Sequence, residues 1–133
     1  MKRPKPHDPR PVKEHHLQQA VVQLLRFNAV PDLIWYAASN AGKRSPRTAA
    51  FMKRMGMLVG VADLSIVVPN GRACFLELKR PGKSIELREA QKDFRHLCAR
   101  NGAPYEVAST FEEAEAILGC WGALRVDPMR RVA

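Results

Sequence analysis

The spacing of hydrophobic positions along the chain predicts four helices. Three of them have apolar residues three and four positions apart, which places these residues on one helix face, over residues 12–27, 87–101 and 110–118. Asn101-Gly102 is a suitable C-terminal cap for the second, and Thr110-x-x-Glu113 is a capping box that opens the third. A fourth, short helix is predicted between residues 42 and 60, where alanine and methionine recur, and we expect its methionines to fill gaps in the core.

Four short apolar segments bounded by turn residues have the pattern of β-strands, over residues 33–39, 62–68, 72–79 and 105–108. The second and third are joined by Pro69-Asn70-Gly71, which predicts a hairpin. Helices and strands therefore follow one another in the order α-β-α-β-β-α-β-α. This order predicts an α/β fold, a mixed β-sheet flanked by helices.

The composition indicates one folded domain with basic ends. At 133 residues the chain has room for one core, and its 46% hydrophobic and 26% charged residues are ordinary for a globular protein. Residues 1–12 combine four prolines with lysine and arginine, which predicts a flexible arm. We expect the domain to span residues 13–120 and a basic tail to span residues 121–133.

No segment of the sequence predicts export or a membrane span. No apolar run approaches the ~20 residues that cross a bilayer, and no hydrophobic region follows the basic N-terminus. The three cysteines are widely spaced and odd in number, which argues against a zinc or disulfide framework. We therefore expect a cytoplasmic protein without a membrane partner.

The formal net charge of +9 points to a polyanionic partner, nucleic acid before membrane. The interval between Asp32 and Asp63 contains no acid. Within it lie the leading candidates for phosphate contacts, Lys43, Arg44, Arg47, Lys53 and Arg54. A merely solvated basic surface is the alternative interpretation. No pattern for reading bases accompanies these residues, so we expect recognition of nucleic-acid shape more than of sequence.

Two acids lie on the strands of the predicted hairpin, Asp63 at the start of the first and Glu77 near the end of the second. If residues 69–71 form a three-residue loop with Gly71 left-handed, Asp63 lies directly opposite Glu77. A two-residue turn would shift the register by one and place the two acids on opposite faces. The longer loop is preferred because it gathers Asp63, Glu77 and Lys79 on one face.

Two carboxylates this close repel each other, and a divalent cation would cancel the repulsion. Oxygen ligands without paired cysteines or histidines favour Mg²⁺ or Mn²⁺ over zinc. The sequence therefore predicts a magnesium or manganese site at Asp63 and Glu77. The alternative interpretation is a pair of surface acids bridged by Lys79.

Three further polar side chains fall on apolar helix faces. Glu14 shares the stripe of the first helix with Gln18 one turn on, and Gln91 lies between the apolar positions of the helix predicted over residues 87–101. Glu14 and Gln91 are candidate site residues. The structural alternatives are a carboxylate in the first helical turn that favours the helix dipole for Glu14, and a buried hydrogen bond for Gln91.

Together these residues resemble a known pattern. Its segments are Glu14 with Gln18, Ser39-Asn40-x-Gly42-Lys43-Arg44, Gly60-Val61-Ala62-Asp63, Glu77-Leu78-Lys79 and Gln91. Their order and spacing are similar to those of the VRR-NUC family, a branch of the PD-(D/E)XK superfamily of nucleases, over residues 13–118. Ala62 stands where the superfamily's name implies proline, and the match is loose between residues 42 and 60.

This resemblance implies a restriction-endonuclease-like core and a metal-dependent enzyme that hydrolyses phosphodiester bonds in DNA. The metal, Mg²⁺ or Mn²⁺, would be held by Asp63, Glu77, the backbone carbonyl of Leu78 and Glu14. Lys79 would place or stabilise the attacking hydroxide and the developing charge.

The resemblance also implies a partner and an assembly. Gln91 joins the catalytic set and Asn40 joins the candidate DNA-binding residues. Small stand-alone members of the family are similar to junction-resolving enzymes that act as homodimers. We therefore expect a homodimer that cuts branched DNA such as four-way junctions, since symmetric cutting needs two active sites.

Two other functions compete with this one. A non-catalytic DNA-binding or adaptor protein could retain the same fold, but it would have no use for Asp63 beside Glu77. A metal-dependent RNase or single-strand nuclease differs from the expected enzyme in its substrate only.

Overall fold

The computed structural model describes residues 9–38, 45–79 and 87–126, with the backbone alone for residues 9–14. Helices and strands follow each other in the predicted order. They are α1 Pro9–Asn28, β1 Ile34–Ala37, α2 Pro46–Arg54, β2 Leu64–Val67, β3 Ala73–Leu78, α3 Glu89–Arg100, β4 Tyr105–Ala108 and α4 Phe111–Cys120. None of these helices is long and apolar enough to span a membrane.

The strands form one four-stranded mixed sheet in the order β1-β2-β3-β4. The pairs β1–β2 and β2–β3 are antiparallel, and β3–β4 is parallel. Because parallel neighbours need a long crossover, α3 lies between β3 and β4 in the chain. The predicted α/β class, a mixed sheet flanked by helices, is confirmed.

The main core lies on the face of the sheet that α1 and α4 cover. Strand residues such as Leu64, Ile66 and Leu76 are fully buried there against Val21 of α1 and Leu118 of α4. These strand residues alternate with residues of the opposite face, as the pleat of a strand requires.

A smaller cluster lies on the opposite face, beneath α3. Phe94 and Cys98 are its buried helix residues, and Phe75 and Tyr105 pack against them from β3 and β4. The Phe94 ring meets both partners edge to face, with centroids 5.0 Å from Phe75 and 6.0 Å from Tyr105. These contacts hold α3 over the β3–β4 half of the sheet, which determines where its N-terminus lies.

The ends of the domain differ from the expected boundaries. α1 begins at Pro9, so the last residues of the expected arm are helical and Glu14 lies beyond the first helical turn, contrary to prediction. At the other end, Ala123 is fully buried and Leu124 pairs with Ala29. The packed domain therefore continues past residue 120. Residues 1–8 of the expected arm and 127–133 of the expected tail lie outside the described residues.

The methionines of the α2 region do not fill the core, so that prediction is wrong. α2 starts normally, with the Ser45 side chain accepting a hydrogen bond from the Thr48 backbone N–H at 3.2 Å, but it buries no residue. Phe51, Met55 and Met57 are all more than half exposed. The physical reason is that α1 and α4 cover one face of the sheet and α3 covers the other. α2 belongs to neither of these two packed layers.

Candidate functional site

The hairpin between β2 and β3 has the three-residue loop predicted from the sequence. Leu64 pairs with Leu76, and the Val68 backbone N–H donates to the Arg72 carbonyl at 3.1 Å. Gly71 has φ +83°, the left-handed conformation that such a loop needs. In this register the position of Asp63 is opposite that of Glu77, and the two-residue turn is ruled out.

Asp63 is fixed at the start of β2 by the neighbouring strand. Its Oδ2 accepts a hydrogen bond from the Leu78 backbone N–H at 2.8 Å. Its own carbonyl accepts from the Ala38 backbone N–H at 3.0 Å, next to β1. The carboxylate is therefore held against the end of β3, beside Glu77.

Glu77 is the buried acid of the site, with 3% of its surface exposed. Its Oε1 accepts a hydrogen bond from Gln91 Nε2 at 3.1 Å and lies 3.6 Å from Lys79 Nζ. Its Oε2 is buried and has no hydrogen-bond partner among the described residues. Burial first, and the charge of Asp63 second, raise the pKa of Glu77 to about 7, although the charge of Lys79 opposes the shift.

Gln91 connects the acid to the lysine. While its Nε2 donates to Glu77, its Oε1 accepts from Lys79 Nζ at 3.1 Å and from the Arg88 backbone N–H at 2.9 Å. The last bond fixes Gln91 in the first turn of α3. The structure thus brings Glu77, Lys79 and Gln91 together, as expected of a helix that returns over the ends of the hairpin strands.

A glycine lets the N-terminus of α3 approach the hairpin. Gly60 has φ +84°, and a Cβ built on it would lie 2.4 Å from the Ala90 carbonyl carbon and oxygen. Because these are backbone atoms, no side-chain rearrangement would make room. Gly60 was noted in the sequence only as part of a motif, and its contact with α3 was not predicted.

Tyr105 is a second residue that the sequence did not point to. Its hydroxyl oxygen is buried without a hydrogen-bond partner among the described residues. Burial raises the pKa of Tyr105, the charges of Glu77 and Asp63 add to the shift, and the charge of Arg95 opposes it. The hydroxyl therefore lies within electrostatic reach of both acids, which its place in an apolar strand gave no way to foresee.

The donor set fits a hard divalent cation in its chemistry. Among the described side chains, no group of three or more His, Cys, Asp and Glu residues could hold a metal, so Asp63 and Glu77 form a pair. Glu14 is on α1, but its side chain lies outside the described residues. Glu77 Oε2 is buried without a partner among the described residues and the pKa of its carboxyl is raised, so a nearby positive charge would stabilise the ionised group.

The remaining candidates lie on other elements or outside the described residues. Gln18 is half-buried on α1. Three of the expected DNA-binding residues are exposed on α2: Arg47, Lys53 and Arg54. The other three lie outside the described residues: Asn40, Lys43 and Arg44.

The element order and sheet define an open α/β fold, and two solved structures share it. One is a VRR-NUC domain, 16% identical with a TM-score of 0.54, and the match covers 80% of this chain and 95% of that one. The other is a VRR-NUC domain protein, 21% identical with a TM-score of 0.62, covering 86% and 97%. The sequence itself matches no family model and no curated protein. The chain therefore has the VRR-NUC fold, which confirms the expected architecture.

Proposed function

We propose that this protein is a metal-dependent nuclease that hydrolyses phosphodiester bonds in DNA. The observation that supports this most strongly is the buried Glu77 carboxylate, with one oxygen unpartnered among the described residues, beside Asp63 and Lys79. A protein that only binds DNA gains nothing from a buried acid beside another acid, an arrangement that lowers stability. The likeness to VRR-NUC structures supports the same class of activity.

The metal would be Mg²⁺ or Mn²⁺, held by Asp63, Glu77 and the Leu78 carbonyl, with Glu14 as a further ligand. When bound, it would supply positive charge that polarises the phosphate and offsets the repulsion between the carboxylates. Both acids are already held at adjacent strand ends: the Leu78 backbone N–H donates to Asp63, and the Gln91 side chain donates to Glu77.

Lys79 would place the attacking water and stabilise charge on the phosphate. Its ammonium group is held by Gln91 at 3.1 Å and lies 3.6 Å from Glu77, while 20% of its side chain remains exposed. A cation fixed beside the scissile phosphate is favourable because it needs no reorganisation during the reaction. Gln91 acts through Glu77 and Lys79 and is therefore a positioning residue.

Cleavage is tested with Glu77→Ala and Lys79→Ala. We expect each to lower the cleavage rate by at least about 100-fold while DNA affinity changes little, because binding rests on basic residues elsewhere. Duplex, flap and four-way-junction substrates would be incubated with Mg²⁺, Mn²⁺ or EDTA. Glu106→Ala, an exposed acid on β4, is the control. Full activity in Glu77→Ala would refute the site assignment, and binding without cleavage by the wild type would favour an adaptor.

The preferred substrate in this proposal is branched DNA, cut by a homodimer. One chain offers one Glu77 site, so paired cuts in a four-way junction need two copies. Light scattering of the purified protein should give twice the chain mass, and the junction should be cut faster than its matched linear duplex. If the protein cuts single strands or RNA preferentially, the proposed substrate is wrong and the nuclease chemistry stands.

A further inference from the structure

The exposed surface of α3 has a basic side, which contains neither of the helix's exposed acids, Glu89 and Asp93. Two neighbouring rows of side chains run along it at four-residue intervals, Gln91-Arg95-Ala99 and Lys92-His96-Arg100. The residues that follow Gln91 in these rows are exposed and line one shallow, open depression. This set of residues is here named the α3 ridge: Lys92, Arg95, His96, Ala99 and Arg100. The first row begins at the residue that holds Glu77 and Lys79, so the α3 ridge extends outward from the candidate active site.

The described helix with the most acids, α4, lies on the other face of the sheet from α3. α3 covers the face on which Glu77 meets Gln91, whereas α4 packs on the opposite face. α4 contains Glu112, Glu113 and Glu115 and no basic residue. An approaching phosphate chain would be repelled by α4 and attracted by α3.

The arginines of the α3 ridge are available for a ligand. In the part of the chain that the structure describes, no carboxylate lies within salt-bridge distance of Arg95 or Arg100. Lys92 pairs with Glu89 at 3.5 Å, but both groups are exposed and such pairs are worth little. The charge of Arg95 also acts on the Tyr105 hydroxyl, as does that of Glu77, so the ridge and the site share one electrostatic environment.

We propose that the α3 ridge binds the phosphate backbone of DNA and guides one strand to the Glu77 site. This rests on the proposed nuclease function and adds a contact surface on a different element from α2. The eight helical steps from Gln91 to Ala99, each of ~1.5 Å, span about 12 Å. A DNA strand has one phosphate per ~3.4 Å of axis, so roughly three phosphates lie along this length, comparable to the number of cations on the ridge.

The test uses a gain of charge, because a variant that merely misfolds cannot bind more tightly. Ala99→Lys extends the row that starts at Gln91, and Ala99→Glu places a negative charge there. Ala116→Lys and Ala116→Glu are the matched controls, since Ala116 is also an exposed helical alanine but lies on the acidic α4. Affinity for a fluorescently labelled four-way junction would be measured in EDTA at several salt concentrations.

We expect Ala99→Lys to bind about fivefold to tenfold more tightly near 0.1 M salt and to steepen the slope of log K against log salt by about 0.9, the effect of one added phosphate contact. Ala99→Glu should weaken binding by a similar factor. Both Ala116 variants should stay close to the wild type. Equal effects at Ala99 and Ala116 would overturn the proposal.

A parallel cleavage assay with Mg²⁺ separates this proposal from the proposed function. If Ala99→Lys binds more tightly but no variant, including the wild type, cleaves DNA, the α3 ridge stands and the nuclease function fails. If the wild type cleaves in a Glu77-dependent way and the Ala99 variants bind unchanged, the nuclease function stands and the ridge assignment fails.

Discussion

Glu77 is the residue at which stability and the proposed function oppose each other. Its ordinary pKa of 4.5 is raised to about 7, first by burial and then by the charge of Asp63. Because this pKa is higher in the folded than in the unfolded state, the folded protein binds the proton of Glu77 more tightly. The free energy of unfolding therefore falls as pH rises from the ordinary pKa through about 7. Above that pH, the metal-free protein holds a buried charge at a net cost.

We therefore predict that Glu77→Gln stabilises the metal-free protein at pH 8. The glutamine retains an acceptor for Gln91 Nε2 and removes the charge, so the free energy of unfolding should rise by about 1–3 kcal/mol, and the gain should shrink at pH 5. Urea unfolding in EDTA at both pH values measures this. Adding Mg²⁺ should then stabilise the wild type but not the variant; a destabilised variant at pH 8 would show that the ionised pair is favourable.

Among the elements, the contact between the segment before β2 and the start of α3 assembles the site. Gly60 approaches the Ala90 backbone so closely that a Cβ would overlap it. Because Asp63 follows Gly60 by three residues and Gln91 follows Ala90 by one, this contact brings the two halves of the site together. The positive φ of Gly60 alone would also favour glycine, so the two effects need to be separated experimentally.

Gly71 provides the comparison, since it has φ +83° but no atom within 4 Å of a built Cβ. We predict that Gly71→Ala costs about 1 kcal/mol through backbone strain, whereas Gly60→Ala costs about 3 kcal/mol or more and also lowers cleavage. Urea unfolding and the junction assay measure both. Equal destabilisation by the two substitutions would mean that α3 shifts without penalty.

At the scale of the whole molecule, α2 and α3 are two described helices that expose several cations, whereas α4 carries acids and no cation. α2 buries no side chain among its nine residues, and Arg47, Lys53 and Arg54 are exposed on it. Helices of this length gain little stability on their own, so α2 is better explained as a binding element than as part of the core. This supports the prediction that its cations contact DNA phosphates.

The test compares how four-way-junction binding depends on salt in the wild type and in the double variant Arg47→Gln/Lys53→Gln. Losing two phosphate contacts should reduce the magnitude of the slope of log K against log salt by roughly 2. Arg26→Gln/Arg72→Gln is the control, because it removes two exposed charges from α1 and from the hairpin end distant from Glu77. If both double variants behave alike, net charge alone accounts for binding and α2 is not a DNA contact.

Sequence by itself determined the element order and the mixed-sheet class, and it favoured the register that places Asp63 opposite Glu77. These follow from local rules: apolar periodicity selects helix or strand, and the length of the loop at residues 69–71 sets the pairing. It also identified Gln91 as a polar residue on a buried helix face. What Gln91 contacts was left open, because a helical pattern gives the face and not the partner.

Tertiary structure alone decided the long-range contacts. The meeting of Gln91 with Glu77 and Lys79, the approach of Gly60 to Ala90 and the buried hydroxyl of Tyr105 join parts of the chain far apart in sequence. For the same reason, the sequence did not predict that α2 is exposed or that the core continues to Ala123. Whether an apolar side chain is buried depends on which layer covers it, and only the packed fold determines that.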